Sequence, residues 1–84
     1  MEELNKTVLF GDLFELYGKL LPISQQVVGN LYFNEDLTLS EIAENLKISR
    51  QAVYDSLKKM EAKLLDIENK VGALKTIKEL KKGE

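Results

Sequence analysis

Two helix-start signals stand close together in the middle of the chain and restrict its fold more than any other feature. Thr38 and Glu41 have the spacing of a capping box, in which the threonine side chain accepts from the backbone N–H of Glu41 and the carboxylate reaches back. Ser49 is the second signal, an N-cap directly before Arg50. Because only two helical turns and a short connection fit between these caps, the pattern predicts a helix-turn-helix over residues 38–59.

The residues between the two caps agree with this prediction. Ile42, Ala43 and Leu46 give the first helix of the motif an inner face, and the small Ala43 allows a close helix crossing. We expect Ile48 to plug the turn. Lys47 stands where glycine is frequent, and a positive φ at this residue is a cost that such turns tolerate.

Upstream of the motif, a broad apolar face predicts a helix over residues 4–21. Its apolar residues recur in two adjacent rows, Phe10, Phe14, Tyr17 and Leu21 beside Leu9, Leu13, Leu16 and Leu20. Pro22 ends this helix, and Ser24 is the expected N-cap of a second one. One proline and five glycines also favour helices. The prediction is an all-α fold in a single domain over residues 1–84.

The C-terminal part of the chain predicts one long helix over residues 50–82, about 50 Å in length. Its apolar residues alternate spacings of four and three, in the order Val53, Leu57, Met60, Leu64, Ile67, Val71 and Leu74. Gly72 is a weak point in this helix, by ~1 kcal/mol relative to alanine. The favoured interpretation is a homodimer formed through Met60, Leu64, Ile67, Val71 and Leu74. The alternative is that this helix closes over the broad face of the first helix of the same chain.

The exposed side of the second motif helix carries the candidate DNA-binding residues Lys47, Ser49, Arg50, Gln51, Tyr54, Lys58 and Lys59. In helix-turn-helix proteins this helix enters the major groove. Arg50, the only arginine, suits guanine or a phosphate, and Gln51 can pair with adenine. A solvated helix shows a similar polar face, and Asp55 in its middle argues mildly against contact with DNA. Both interpretations stay open at this point.

The composition excludes several classes of chemistry. The chain has no cysteine and no histidine, which removes disulfides, a thiolate nucleophile, an imidazole base and the usual zinc ligand sets. No glycine-rich phosphate loop is present. We therefore expect no enzyme activity, no metal and no cofactor. No apolar run approaches the roughly 20 residues of a membrane span, and the acidic start lacks the basic region of a secretory signal, so the expected location is the cytoplasm.

The net charge of −2 divides unevenly along the chain. Residues 1–37 carry two lysines against six acidic residues, and residues 38–84 carry ten basic against eight acidic residues. The helix-turn-helix end is therefore mildly basic, which keeps DNA binding possible. The final lysines are either a solvated helix end or a nucleic-acid patch: Lys75, Lys78, Lys81 and Lys82.

The chain resembles the YlxM-like family of small bacterial helix-turn-helix proteins. The resemblance is carried by the segments 39–44 and 48–55, together with residues 13–17 and 31–33. The motif alone is also similar to the fourth region of bacterial sigma factors, which reads promoter DNA. The resemblance covers nearly the whole chain and weakens after about Lys70. It implies a DNA-binding regulator linked by gene neighbourhood to the signal recognition particle pathway. An accessory role that contacts the RNA or protein of that particle is the alternative implication.

Overall fold

The computed structural model describes the backbone of residues 2–82 and the side chains of residues 8–80. Its five α-helices are α1 (Glu2–Tyr17), α2 (Ile23–Gly29), α3 (Leu39–Leu46), α4 (Arg50–Val71) and α5 (Ala73–Lys82). A 3₁₀ turn, Gly18–Leu20, follows α1, and a π-helical turn, Asn30–Asn34, follows α2. No strand occurs within the described backbone, and the predicted all-α fold is confirmed.

The N-terminal helix ends earlier than the apolar pattern indicates. α1 stops at Tyr17, and the chain tightens into the 3₁₀ turn, which is closed by a hydrogen bond from the N–H of Leu21 to the carbonyl of Gly18. The next helix begins at Ile23, directly after Pro22, so the prediction that Ser24 is its N-cap is wrong. Proline fixes its own φ near the helical value and has no N–H to satisfy, so a helix can start directly after it.

α4 lies at the centre of the fold and packs against α1, α2 and α3. Five large side chains, contributed by α1, α3 and α4, are fully enclosed: Leu13, Ile42, Val53, Met60 and Leu64. The second helix of the motif is therefore the first part of α4, and the buried side of α4 is held by the other helices.

The predicted single helix over residues 50–82 is wrong, because the chain breaks at Gly72. Gly72 has φ 70° and ψ 20°, a left-handed conformation that glycine adopts without the steric penalty of a Cβ. Its N–H donates to the carbonyl of Glu68 over 2.7 Å, which is the usual left-handed end of a helix. α5 then folds back and packs along α1.

A small polar cluster fixes this fold-back. The Tyr17 hydroxyl donates to Glu68 Oε1 over 2.6 Å, and the carboxylate also accepts from the N–H of Leu74 at 3.2 Å and of Lys75 at 3.1 Å. The N–H of Ala73 donates to the Tyr17 hydroxyl oxygen over 3.1 Å. The hydrogen bond from Tyr17 lowers the pKa of Glu68, and burial raises the pKa of Tyr17. Glu68 therefore caps the start of α5 as a carboxylate.

Four of the five residues assigned to a homodimer interface pack into the core of the single chain, and the homodimer itself stays a prediction. Met60 and Leu64 have no exposed surface, Leu74 is 8 % exposed, and Ile67 packs partly buried against the same core. Only Val71, at 61 % exposure, faces outward. The seam meets α1 and α5 because the bend at Gly72 lets α5 return. The intramolecular alternative is the one that the structure adopts.

Candidate nucleic-acid interface

Both caps predicted for the helix-turn-helix are present. Thr38 Oγ1 accepts from the N–H of Glu41 over 3.2 Å, and Glu41 Oε1 accepts from the N–H of Thr38 over 2.9 Å. Ser49 Oγ accepts from the N–H of Ala52 over 3.0 Å at the start of α4. Each cap satisfies backbone donors that the first turn of a helix leaves free, so α3 and α4 begin at defined residues.

The turn between the two helices is held by its backbone. Lys47 takes a left-handed conformation with φ 58°, and the N–H of Ile48 donates to the carbonyl of Ala43 over 3.1 Å. This pairing is the Schellman end of a helix. Ile48 itself is 42 % exposed, so the prediction that its side chain plugs the turn is wrong. Backbone hydrogen bonds close the turn without an apolar plug.

The buried side of α4 determines which residues of its first turns face solvent. Val53 is fully buried and Leu57 is 7 % exposed. Since successive residues of a helix are about 100° apart, Gln51 and Asp55, each two residues from Val53, lie on the far side of the helix. Both are exposed. The first two turns of α4 therefore offer a polar surface to a partner.

Five side chains on or next to this surface form local pairs. Gln51 Nε2 donates to Asp55 Oδ1 over 3.0 Å. The Lys58 ammonium lies 5.4 Å from the centroid of the Tyr54 ring, within the range of a cation–π contact. Lys58 also lies 3.4 Å from the carboxylate of Glu61. Tyr54 is 45 % exposed, so the edge of its ring remains accessible.

Arg50 lies at the side of this surface that faces α3. Together with Tyr32, Thr38 and Ser40 it lines a shallow depression of about 410 Å³ at the start of α3. The depression combines the Arg50 guanidinium with hydroxyl groups and with the carboxylate of Asp36, so its lining carries both signs of charge. Among these groups, the Arg50 guanidinium is the one suited to an anionic oxygen such as that of a phosphate group.

All seven predicted DNA-binding residues are exposed and lie in the turn or the first three turns of α4. Lys47 and Ser49 belong to the turn, whereas Lys59 lies about 40° around α4 from Asp55, at the edge of the outward surface. The predictions from the sequence include neither the Gln51–Asp55 pair nor the depression beside Arg50. The spacing of four residues could have indicated the pair, but contact with α3 has no signal in the sequence.

An open groove of about 800 Å³ lies between α1, α2 and the π-helical turn, and it is lined in part by Phe14, Phe33, Asp12, Glu15 and Lys19. No group of three or more acidic side chains among the described residues is arranged to hold a metal ion. Within the same residues, no helix is both long enough and apolar enough to cross a membrane.

Comparison with known proteins identifies the family. Residues 4–82 match the profile described as "Putative helix-turn-helix protein, YlxM / p13 like", family UPF0122. The chain belongs to the UPF0122 family. The UPF0122 protein YlxM of Bacillus subtilis is 44 % identical over 78 residues, which cover 93 % of this chain and 71 % of that protein. A UPF0122 protein of Clostridium kluyveri is 46 % identical over 74 residues, with 84 % and 67 % of the two chains covered.

Membership of UPF0122 confirms the resemblance drawn from the segments 39–44 and 48–55. The family description names a helix-turn-helix protein, which agrees with α3, the turn and α4 as found here. A UPF0122 protein of Bacillus thuringiensis is 43 % identical over 76 residues, covering 90 % of this chain and 69 % of the relative. The shared region therefore includes the complete motif.

Proposed function

We propose that this UPF0122 member is a cytoplasmic, non-enzymatic regulator that binds double-stranded DNA through the start of α4. One observation supports the proposal above the others. The first turns of α4, capped by Ser49, project a polar and exposed surface from a packed core. In helix-turn-helix proteins the corresponding helix lies in the major groove, with its first residues against the base edges.

Different residues of this surface support different kinds of contact. Gln51 lies near the outermost line of α4, where a helix in the groove meets base edges, and Tyr54 lies about 60° from it around the helix. Arg50 lies beside Thr38 and Ser40 at the start of α3, which favours a phosphate contact over a guanine contact. We also assign contacts with the phosphates of the DNA backbone to Lys47, Ser49, Lys58 and Lys59.

The charge of the chain sets the expected strength of binding. Residues 38–84 carry a net charge of +2, so one copy neutralises few phosphates and should bind modestly. Two copies on neighbouring half-sites, about 34 Å apart, would bind more tightly. We propose such a homodimer.

Fluorescence anisotropy with labelled duplex DNA tests the proposal. We expect saturable binding at about 50 mM salt that weakens linearly on a logarithmic salt scale. Arg50→Ala should weaken binding to all sequences alike and reduce the salt slope by about one, as expected for loss of one phosphate contact. Lys19→Ala removes one positive charge from an exposed residue outside the motif, so it serves as the matched control.

Two results would contradict the proposal. The first is the absence of binding by the parent protein at this low salt concentration, where electrostatic contacts are least screened. The second is an equal loss of affinity in Arg50→Ala and Lys19→Ala, because it would show that net charge alone governs association.

A second candidate function is an accessory role in the signal recognition particle pathway, with the RNA or a protein of the particle as partner. It is supported by the gene-neighbourhood link that the family resemblance implies and by exposed lysines on α4 and α5, Lys63, Lys70, Lys75 and Lys78. Lys81 and Lys82 lie outside the described side chains. Affinity purification from nuclease-treated lysate separates the two functions: recovery of particle components without DNA favours this role.

A further inference from the structure

The exposed start of α4 contains one interaction that the DNA-binding proposal does not use. Gln51 Nε2 donates to Asp55 Oδ1 over 3.0 Å, and both residues face outward, opposite the buried Val53. A carboxylate in the middle of a surface that meets DNA is otherwise unfavourable, because phosphate groups repel it. The pair gives Asp55 a defined partner within the protein.

The hydrogen bond leaves the Gln51 amide with a specific set of free groups. A glutamine amide has two N–H donors and one carbonyl acceptor. When one N–H is directed to Asp55, the other N–H and Oε1 remain available. Adenine presents an acceptor, N7, beside a donor, the N6 amino group, in the major groove, and glutamine can match both. The amide bound to Asp55 therefore keeps the pairing capacity that adenine requires.

We propose that Asp55 is a positioning residue for Gln51, holding its amide so that the free N–H and Oε1 select an adenine in the major groove. The inference rests on the proposed DNA-binding function and adds a specificity determinant to it. A glutamine side chain loses much rotational freedom when it is fixed against a base, and an amide already held by Asp55 loses less. Asp55 should therefore increase the preference of the protein for the base pair that Gln51 contacts.

The experiment begins with selection of preferred duplexes from a random-sequence DNA library by the parent protein. Gln51→Ala then identifies the base pair that Gln51 contacts, since the preference is lost at that pair only. Anisotropy titrations compare the preferred duplex with duplexes substituted at that pair. The quantity measured is the ratio of the two dissociation constants, which a general change in charge or stability does not alter.

Two substitutions of Asp55 separate the hydrogen bond from the charge. Asp55→Asn removes the charge but keeps an oxygen that accepts from Gln51, so the ratio should stay within about twofold of the parent value. Asp55→Ala removes both, and the ratio should fall about three- to tenfold. Asp66→Ala is the matched control, because Asp66 is an exposed acid on the same helix that pairs with Lys70 at 3.0 Å. It should leave the ratio unchanged.

Each other outcome overturns the inference in a recognisable way. An unchanged ratio in Asp55→Ala shows that Gln51 needs no positioning. A change at a different base pair shows that Asp55 itself contacts a base, such as the amino group of cytosine. Loss of the preference in Asp55→Asn as well as Asp55→Ala shows that an oxygen acceptor at this position is not what fixes the preference, which contradicts positioning through the hydrogen bond. Absence of DNA binding by the parent protein overturns the proposed function together with this inference, whereas the preceding three results leave that function intact.

Discussion

Replacement of Leu64 by alanine tests whether the seam of α4 stabilises one chain or joins two. Leu64 has no exposed surface. The substitution removes three carbon atoms, worth about 2.4 kcal/mol at roughly 0.8 kcal/mol each, and the cavity left behind raises the expected loss to about 3–4 kcal/mol. A domain of 84 residues has a free energy of unfolding of about 4–13 kcal/mol, so the variant should be weakened and still detectably folded.

Urea unfolding followed by circular dichroism measures this loss. With a slope of about 1–2 kcal/mol per molar urea for so small a domain, the midpoint should fall by about 1.5–4 M. Val71→Ala is the matched control on the same seam, because Val71 is 61 % exposed and its truncation should change stability by less than about 0.5 kcal/mol. Both substitutions should leave the concentration dependence of the parent midpoint unchanged, since the seam does not join two chains.

Two results would refute this reasoning. If Leu64→Ala and Val71→Ala lowered the free energy of unfolding equally, the difference in burial between the two residues would not explain their contributions to stability. If the parent midpoint rose with protein concentration and Leu64→Ala abolished that rise, the seam would be a contact between two chains.

Two further predictions concern a close helix contact and the fold-back of α5. A Cβ at Gly29 would overlap the Phe14 ring, with Cζ at only 2.7 Å, so Gly29→Ala should lower the free energy of unfolding by about 1–3 kcal/mol. Gly11→Ala is the control, because a Cβ there meets nothing closer than 3.7 Å. It should be neutral or stabilising in the same urea titration. The pKa of Glu68 lies below its ordinary value of 4.5, so its stabilising effect should be complete above pH 4.5 and disappear as the pH falls through the lowered pKa. Glu68→Gln should therefore lower the urea midpoint at pH 7 but much less at about pH 3, and an equal loss at both pH values would contradict this linkage.

The parts of the fold that the sequence predicts well are those governed by contacts within a few residues. The capping box of Thr38 and the cap of Ser49 each join groups three residues apart, so the side chain and its partner are visible together in the sequence. The exposed positions of Arg50 and Gln51 also depend on nearby residues only, because helical periodicity determines which residues lie away from the buried Val53.

The parts that could not be predicted depend on contacts between distant segments. Gly72 costs a helix only ~1 kcal/mol, so its propensity alone cannot decide between a continuous helix and a bend. The bend is stabilised by Tyr17, which is 51 residues from its partner Glu68 and gives no periodic signal. For the same reason the seam through Leu64 was assigned to a second chain. At the candidate site, Asp55 was treated as an isolated charge although its spacing from Gln51 permits a hydrogen bond.

The bond between Tyr17 and Glu68 also has a consequence for the order in which the chain folds. It closes a loop of 51 residues, and the loss of chain entropy on closing a loop grows with the length of the loop. The contacts between α3 and α4 are local, so they can form before that loop closes. Weakening of the α1–α5 closure should therefore act mainly on the rate of unfolding, while changes in the helix-turn-helix should act on the rate of folding. We therefore expect the closure to determine how long the protein stays folded and the helix-turn-helix to determine how quickly it folds.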